Sequence, residues 1–320
     1  MIELVGITKR FGPVVAVENL SFFVDKGEVL GFLGPNGAGK TTTMRILTGY
    51  FPPTSGTARI AGHDVVDEPM AARRALGYMP EHVPIYPEMR VGEYLQFVGE
   101  VKGLARHEAR REAARVMEML GLAERKGQLL KQLSKGYRQR VGMAQAMVAD
   151  PPVLILDEPT IGLDPGQIVE IRSLIRSMAG SKTIVLSTHI LPEVAATCTR
   201  VVIINKGRLV AEGSPEILQA AEVGRVRVVC TGEREAIERA LRDVKGVEGV
   251  SCEGASALAE GAMIFVVATT GGLEVRGALA RAVMEAGGQL VELKGVAASL
   301  EEVFVQLVTE EPAVSEGEAA

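Results

Sequence analysis

The run Gly34-Pro35-Asn36-Gly37-Ala38-Gly39-Lys40-Thr41 constrains this chain more than any other stretch. It fits the pattern G-x-x-x-x-G-K-[ST]. The apolar run Val29-Leu30-Gly31-Phe32-Leu33 precedes it, and a helical pattern from Thr42 to Leu47 follows. Strand, glycine loop and helix in that order are the setting in which this pattern cradles phosphate. Glycines let the backbone wrap closely round an anion with successive N–H groups turned inward, and the helix N-terminus adds partial positive charge. Lys40 is placed to reach the β- and γ-phosphates as a point charge, and the Thr41 hydroxyl to ligate Mg²⁺. The expected ligand is therefore a nucleoside triphosphate, held by Gly34, Pro35, Asn36, Gly37, Ala38, Gly39, Lys40, Thr41 and Thr42.

A length of 320 residues leaves room for about two domains. A hydrophobic fraction of 47% with 23% charged residues is that of a globular chain. Apolar runs such as Ala262 to Ala268 are strand-sized, well short of the roughly 18 residues a membrane span needs. The start, Met1-Ile2-Glu3-Leu4, lacks the basic and apolar regions of a signal peptide. Cys198, Cys230 and Cys252 are odd in number and widely spaced, so three buried free thiols are expected rather than a disulfide or zinc framework. A net charge of −5 argues against non-specific binding to nucleic acid, which needs a basic surface. These features predict a cytoplasmic chain.

No tandem duplication is visible. Short strands are expected before residue 80, at Val15 to Leu20, Ser21 to Val24 and Thr57 to Ile60. Between about 81 and 150 apolar residues recur at spacings of 3 and 4: Tyr94, Leu95, Phe97, Val98 and Val101, then Ala113, Val116, Met117 and Leu120. The continuous apolar runs Val153 to Leu156 and Thr183 to Leu186 read as parallel strands buried on both faces. A helical segment, Gln167 to Met178, lies between them and predicts a right-handed crossover. A second domain is expected from 222 to 310, with a boundary at about 221. Its order is strand (Val226 to Cys230), helix (Glu233 to Val244), strand (Val247 to Cys252), strand (Met263 to Thr269), helix (Glu274 to Ala286), strand (Gln289 to Lys294). That βαββαβ order is the ferredoxin-like pattern. Ser299-Leu300-Glu301-Glu302 reads as a capping box opening a last helix, and 311–320 as a disordered acidic tail.

Val153-Leu154-Ile155-Leu156-Asp157-Glu158 ends a buried strand in two carboxylates. At the carboxyl end of a parallel strand such groups face the place where ligands gather. Asp157 is placed to hold Mg²⁺ and Glu158 to deprotonate an attacking water. Further upstream, Ser134 is a good N-cap for a helix running to about Ala149, with Gly136 beside it, which makes an anion site out of the exposed N–H groups.

These three motifs in this order resemble the ATP-binding cassette (ABC) transporter ATPases, over about residues 1 to 220. The resemblance implies an α/β fold: a P-loop NTPase cassette with a mixed sheet, an antiparallel β subdomain and a helical subdomain at about 81–150. Phe11 falls where the family stacks an aromatic on adenine. Ile161-Gly162-Leu163-Asp164 looks like the D-loop, and His189 matches the switch histidine that contacts the γ-phosphate. Two positions depart from the family's pattern. In the signature, Lys135 and Tyr137 replace a Gly and a Gln, while Ser134 and Gly136 are kept. Glu81 stands at the Q-loop glutamine, and a carboxylate accepts hydrogen bonds but cannot donate them.

The resemblance implies hydrolysis of ATP with Mg²⁺, and a homodimer in which Ser134 and Gly136 of one copy serve the nucleotide of the other. It also implies separate integral-membrane permease subunits, a place on the inner face of the cell membrane, and no nucleic-acid partner. Glu81, the Lys-Gly signature and the Ser-Leu-Glu-Glu-Val-Phe segment look like the exporters of drugs, polysaccharides or gliding-motility components. The competing reading is a soluble ABC ATPase acting on a macromolecular complex. Such proteins carry tandem cassettes, coiled coils or zinc motifs, which this chain lacks.

Overall fold

The computed structural model describes residues 1–215, 217, 225–256, 258, 259, 261–269, 275–296 and 304. The chain opens on an antiparallel pair, β1 (Ile2–Phe11) and β2 (Val14–Val24). Two strands were expected in the second stretch and one continuous strand forms. Its register against β1 shifts three times, with Asn19 at φ 47° in the irregular part. Ser21, where the second of those strands was expected to begin, accepts a hydrogen bond from the Gly6 N–H at 2.8 Å. After β3 (Val29–Leu33) and α1 (Lys40–Leu47), β4 (Ser55–Ile60) and β5 (His63–Asp64) complete a four-stranded antiparallel sheet in the order β2-β1-β4-β5.

A short helix, α2 (Pro69–Arg74), leads into β6 (Leu76–Met79). The helical region follows: α3 (Val91–Val101), α4 (Arg106–Met119) and α5 (Lys135–Met147). The chain then returns through β7 (Val153–Asp157), α6 (Pro165–Met178), β8 (Thr183–Thr188), α7 (Leu191–Thr197), β9 (Arg200–Asn205) and β10 (Arg208–Gly213). A six-stranded sheet results, in the order β10-β9-β3-β8-β7-β6, parallel except for β10. Every residue of β3, β7 and β8 is buried, as strands covered on both faces must be. Edge strand β10 alternates instead, and joins β9 through Lys206 and Gly207, both at positive φ, the geometry of a type I′ hairpin turn.

One core joins the two sheets. Met44, Ile46 and Leu47 of α1 pack with Ile2, Leu4 and Leu20 of the antiparallel sheet and with Ile155 and Val185 of the parallel one. The glycine loop is thereby fixed at the carboxyl end of β3, with its helix anchored on two layers.

The chain divides into two compact units that separate at Pro215 and Glu216. The boundary expected at about 221 lies outside the described residues, as do the capping box at Ser299 and the tail 311–320. The second unit contains β11 (Arg225–Thr231), α8 (Arg234–Arg242), β12 (Val247–Ala255), β13 (Met263–Thr269), α9 (Arg276–Glu285) and β14 (Gln289–Val296). Its four strands are antiparallel, in the order β12-β13-β11-β14. The core is its own: Ile237 and Leu241, one helical turn apart on α8, and Leu279 and Val283 on α9 meet Val228, Phe265 and Val267 of the sheet.

Cys198 and Cys230 are buried as expected, whereas Cys252 is only half-buried. Burial pushes the Cys198 thiol up to about 12 and the Cys230 thiol to about 11. Among the described residues no helix is long and apolar enough to cross a membrane.

Candidate nucleotide site

Two glycines set the shape of the loop between β3 and α1. Gly39, the residue before the helix, has φ 103°, and a Cβ there would lie 2.6 Å from the Ala16 carbonyl oxygen. A Cβ at Gly34 would lie 2.5 Å from the carbonyl oxygen of Ile204. Both positions exclude any side chain, so the loop backbone packs directly onto the Ala16 and Ile204 carbonyls. The Lys40 ammonium is folded back onto the loop, donating to Gly34 O at 2.6 Å and Pro35 O at 3.2 Å. Burial lowers its pKa, opposed by the carboxylates of Glu158, Asp157 and Glu81.

The loop forms one wall of a cleft of about 410 Å³ lined by Ala16, Pro35, Asn36, Gly37, Gly39, Lys40, Thr41, Thr42, Glu81, Glu158, Ile161 and His189. Residues far apart in sequence are thus brought together around the glycine loop. Gly34 and Ala38 support the wall from behind; Ala38 is buried, and its carbonyl accepts the Gly207 N–H at 3.0 Å. Phe11 does not line the cleft. Its half-exposed ring stands edge-on to Phe51 at 5.4 Å, with the Lys9 ammonium 5.1 Å from its centroid.

At the end of β7 the two carboxylates diverge. Asp157 is 1% exposed, and its Oδ1 accepts the Ser187 hydroxyl of β8. Burial raises its pKa, with that hydrogen bond opposing. Its Oδ2 is buried with no hydrogen-bond partner. An orphaned carboxylate oxygen of this kind costs about 1–3 kcal/mol, and a hard cation would satisfy it. Among the described residues no cluster of three or more His, Cys, Asp or Glu is arranged to hold a metal. The donor set therefore fits a Mg²⁺ ion shared with phosphate oxygens and the Thr41 hydroxyl, rather than a closed protein site.

Glu158 turns the other way, because its backbone is left-handed at φ 51°. That conformation costs a non-glycine residue about 1–3 kcal/mol, and its N–H is held by Ser187 O at 3.0 Å. His189 Nδ1 donates to the Glu158 carboxylate, 2.9 Å and 3.0 Å from its two oxygens. Burial raises the Glu158 pKa, and the histidine hydrogen bond and charge oppose it. A buried carboxyl with a raised pKa, in a cleft beside a lysine and a histidine, is the arrangement of a general base.

The remaining expected residues lie outside the cleft. Ser134 caps α5, its Oγ accepting the Tyr137 N–H at 3.4 Å. Gly136, buried, faces Gln167 of α6. Asp164 caps α6, accepting the Gln167 N–H at 2.9 Å. The two signature departures are accommodated locally. Lys135 packs against Gly162, and the Tyr137 ring lies between Arg125 and Arg140, whose guanidinium carbons stand 4.8 and 6.0 Å from its centroid. The sequence alone missed Ala16 on the cleft wall, and read Ile161, which also lines it, as part of the D-loop. It also missed the buried hydroxyls and carboxylate behind it: Thr160, Ser187, Thr188 and Glu193.

The family model described as ABC transporter matches residues 17–161. The chain is 39% identical to the Nod factor export ATP-binding protein I of Paraburkholderia xenovorans, over 70% of this chain and 74% of that protein. It is 33% identical to the linearmycin resistance ATP-binding protein of Bacillus subtilis, over 78% of this chain and 82% of that protein. Among solved structures it is similar to an ATP-binding subunit of an ABC transporter, with TM-score 0.64, 31% identity, and 68% of this chain and 92% of that one covered. It is similar also to a dimeric ATP-binding cassette in a post-hydrolysis state bound to ADP and Pi. There the TM-score is 0.62 with 26% identity, covering 67% of this chain and 98% of that one.

Proposed function

The chain belongs to the ABC transporter family of ATP-binding proteins, and from that premise we propose how its cleft binds and hydrolyses ATP and what that hydrolysis drives. It is an ATPase subunit, and Gly34 to Thr42 hold the triphosphate. The loop N–H groups and the N-terminus of α1 face the phosphates, and the Lys40 ammonium exchanges the Gly34 and Pro35 carbonyls for phosphate oxygens. Phe11 stacks on the adenine. Glu158 takes a proton from water as its oxygen bonds to the γ-phosphorus and the bond to the β–γ bridging oxygen breaks, leaving ADP and phosphate. His189 keeps the Glu158 carboxylate in place through Nδ1 and leaves Nε2 for the γ-phosphate. Thr41 and Asp157 would hold Mg²⁺ beside Glu81, and the ion supplies neutralisation of phosphate charge.

One observation carries the next step: the cleft holds phosphate and base groups, while Ser134, Gly136 and Asp164 lie outside it. The capped start of α5 serves a second copy, so the working unit is a homodimer with two ATP molecules between its halves. The solved cassette bound to ADP and Pi is likewise dimeric. Separate membrane subunits take up the motion at the inner face of the cell membrane. The relatives named for Nod factor export and linearmycin resistance support an exporter.

The test mixes two inactive variants, Ser134→Arg and Lys40→Ala. In the mixed dimer one site carries both lesions and the other neither, so ATP hydrolysis returns in the mixture. Ser134→Arg alone still binds ATP as a monomer. Loss of that binding would contradict a role in trans.

A further inference from the structure

Glu193 lines no part of the cleft, yet it is 1% exposed, a carboxylate buried in the short helix α7. Its Oε2 accepts two hydroxyls, Thr160 Oγ1 at 2.8 Å and Thr188 Oγ1 at 3.1 Å. Its Oε1 faces Arg172 Nη2 of α6 at 3.5 Å. The two threonines are not arbitrary partners. Thr160 follows Glu158 by two residues, and Thr188 immediately precedes His189. Thr188 Oγ1 also accepts the Ile190 N–H at 3.1 Å, so one hydroxyl fixes the backbone on both sides of the histidine. One carboxylate oxygen therefore ties together the two chain segments that deliver the base and the histidine.

That tie has work to do. Glu158 holds a left-handed backbone that relaxes unless its surroundings over-determine it. His189 is about half exposed on its side chain, so its aim depends on the backbone that carries it and on Glu158. Burying a carboxylate is costly, and an apolar side chain of similar volume would fill the same space at less expense. We propose that Glu193 is a positioning residue for hydrolysis: by holding the Thr160 and Thr188 hydroxyls on one oxygen it fixes the Glu158–His189 pair, and through Arg172 it ties that pair to α6, whose N-cap is Asp164. The proposal rests on Glu158 as the base. Hydrogen bonds to a charged group are among the stronger ones a fold can make, and small misplacements of reacting groups cost up to about 10²-fold in rate.

Thr160→Val and Thr188→Val keep the side-chain shape and delete one hydroxyl each, so they test the tie even if larger changes at Glu193 unfold the chain. Each is expected to lower kcat roughly 10- to 100-fold while the KM and Kd for ATP stay within about twofold. Glu193→Gln keeps an oxygen for both hydroxyls and is expected to retain most of the turnover that Glu193→Leu loses. Parental kcat in the valine pair would overturn the proposal, and so would equal losses in the Gln and Leu variants. Glu158→Gln is assayed beside them. If that variant is inactive while the valine pair turns over at the parental rate, the positioning role alone fails. If Glu158→Gln hydrolyses normally, the assignment of the base fails instead.

Discussion

In the first unit Lys40, Asp157, Glu158, Thr160, Ser187, Thr188 and Glu193 are buried in or behind one cleft, whereas in the second unit Thr269 is the one fully buried polar residue among those described. Burying an unpaired polar group costs about 1–3 kcal/mol and a charge far more, so a fold that gathers several at one place needs a reason beyond stability. In the cassette the reason is chemical, since Lys40 and Glu158 line the cleft, Asp157 ends the strand that leads into Glu158, and the Thr160, Ser187, Thr188 and Glu193 side chains hydrogen-bond behind them. The second unit spends its interior on Val226, Val228, Phe265, Leu279 and their neighbours, and its described residues converge on no comparable set. Each unit also has a separate core, one drawn from residues before 205 and the other from residues after 225. On the function proposed above, the nucleotide chemistry belongs to the first unit, and the contrast between the two interiors supports that reading.

The largest expected effect comes from removing the base. Glu158→Gln should lower kcat by roughly 10²–10⁴ while ATP affinity is retained, read by phosphate release beside nucleotide titration. Two bound ATP molecules that cannot be cleaved should then hold two copies together, visible as a doubled mass by light scattering with Mg-ATP. Lys40→Ala removes the cation nearest the loop carbonyls, and should cost on the order of 10²–10³ in turnover and weaken binding as well. Near-normal phosphate release in that variant would break the assignment of the cleft. A smaller effect is expected from pH. Burial raises the Glu158 pKa above its ordinary value of 4.5. The base is ionised above that raised pKa and lost as pH falls through it, so the acid limb of kcat should lie above pH 4.5, with a fall of about tenfold per pH unit below it. An acid limb at or below the ordinary carboxylate value would contradict the buried-base reading. The smallest effect on chemistry is expected from a cavity made in the core of the second unit, where Phe265 is fully buried. Phe265→Ala should destabilise that unit by about 3–5 kcal/mol in chemical denaturation, with ATP affinity unchanged.

Much of the cassette was legible because its signals are local. The strand, glycine loop and helix around Lys40 are contiguous, and β7 and β8 are built on the continuous apolar runs Val153 to Leu156 and Ile184 to Leu186. The order of elements in the second unit was legible from period, since α8 buries Ile237 and Leu241 on one face and β13 alternates. What escaped depends on distant contacts. Glu193 reads in sequence as an acid in the first turn of a helix, a position that favours acids at a surface. Only the tertiary fold brings Thr160 and Thr188 to it. The break expected near Ser21 failed for a related reason: the strand absorbs the irregularity through Asn19 and through the Gly6 N–H, which donates to the Ser21 hydroxyl. Phe11, expected at the adenine, lies outside the residues that line the cleft, and its contacts with Phe51 and Lys9 are likewise set by distant parts of the chain.

The division of labour between the units is tested most directly by titrating ATP, with a fluorescence readout, onto a chain ending at residue 221 and onto the full chain, both shown to be folded by circular dichroism. The account predicts the same affinity within about twofold, a difference of roughly 0.4 kcal/mol. Loss of ATP binding by a truncated chain that keeps its secondary structure would contradict it.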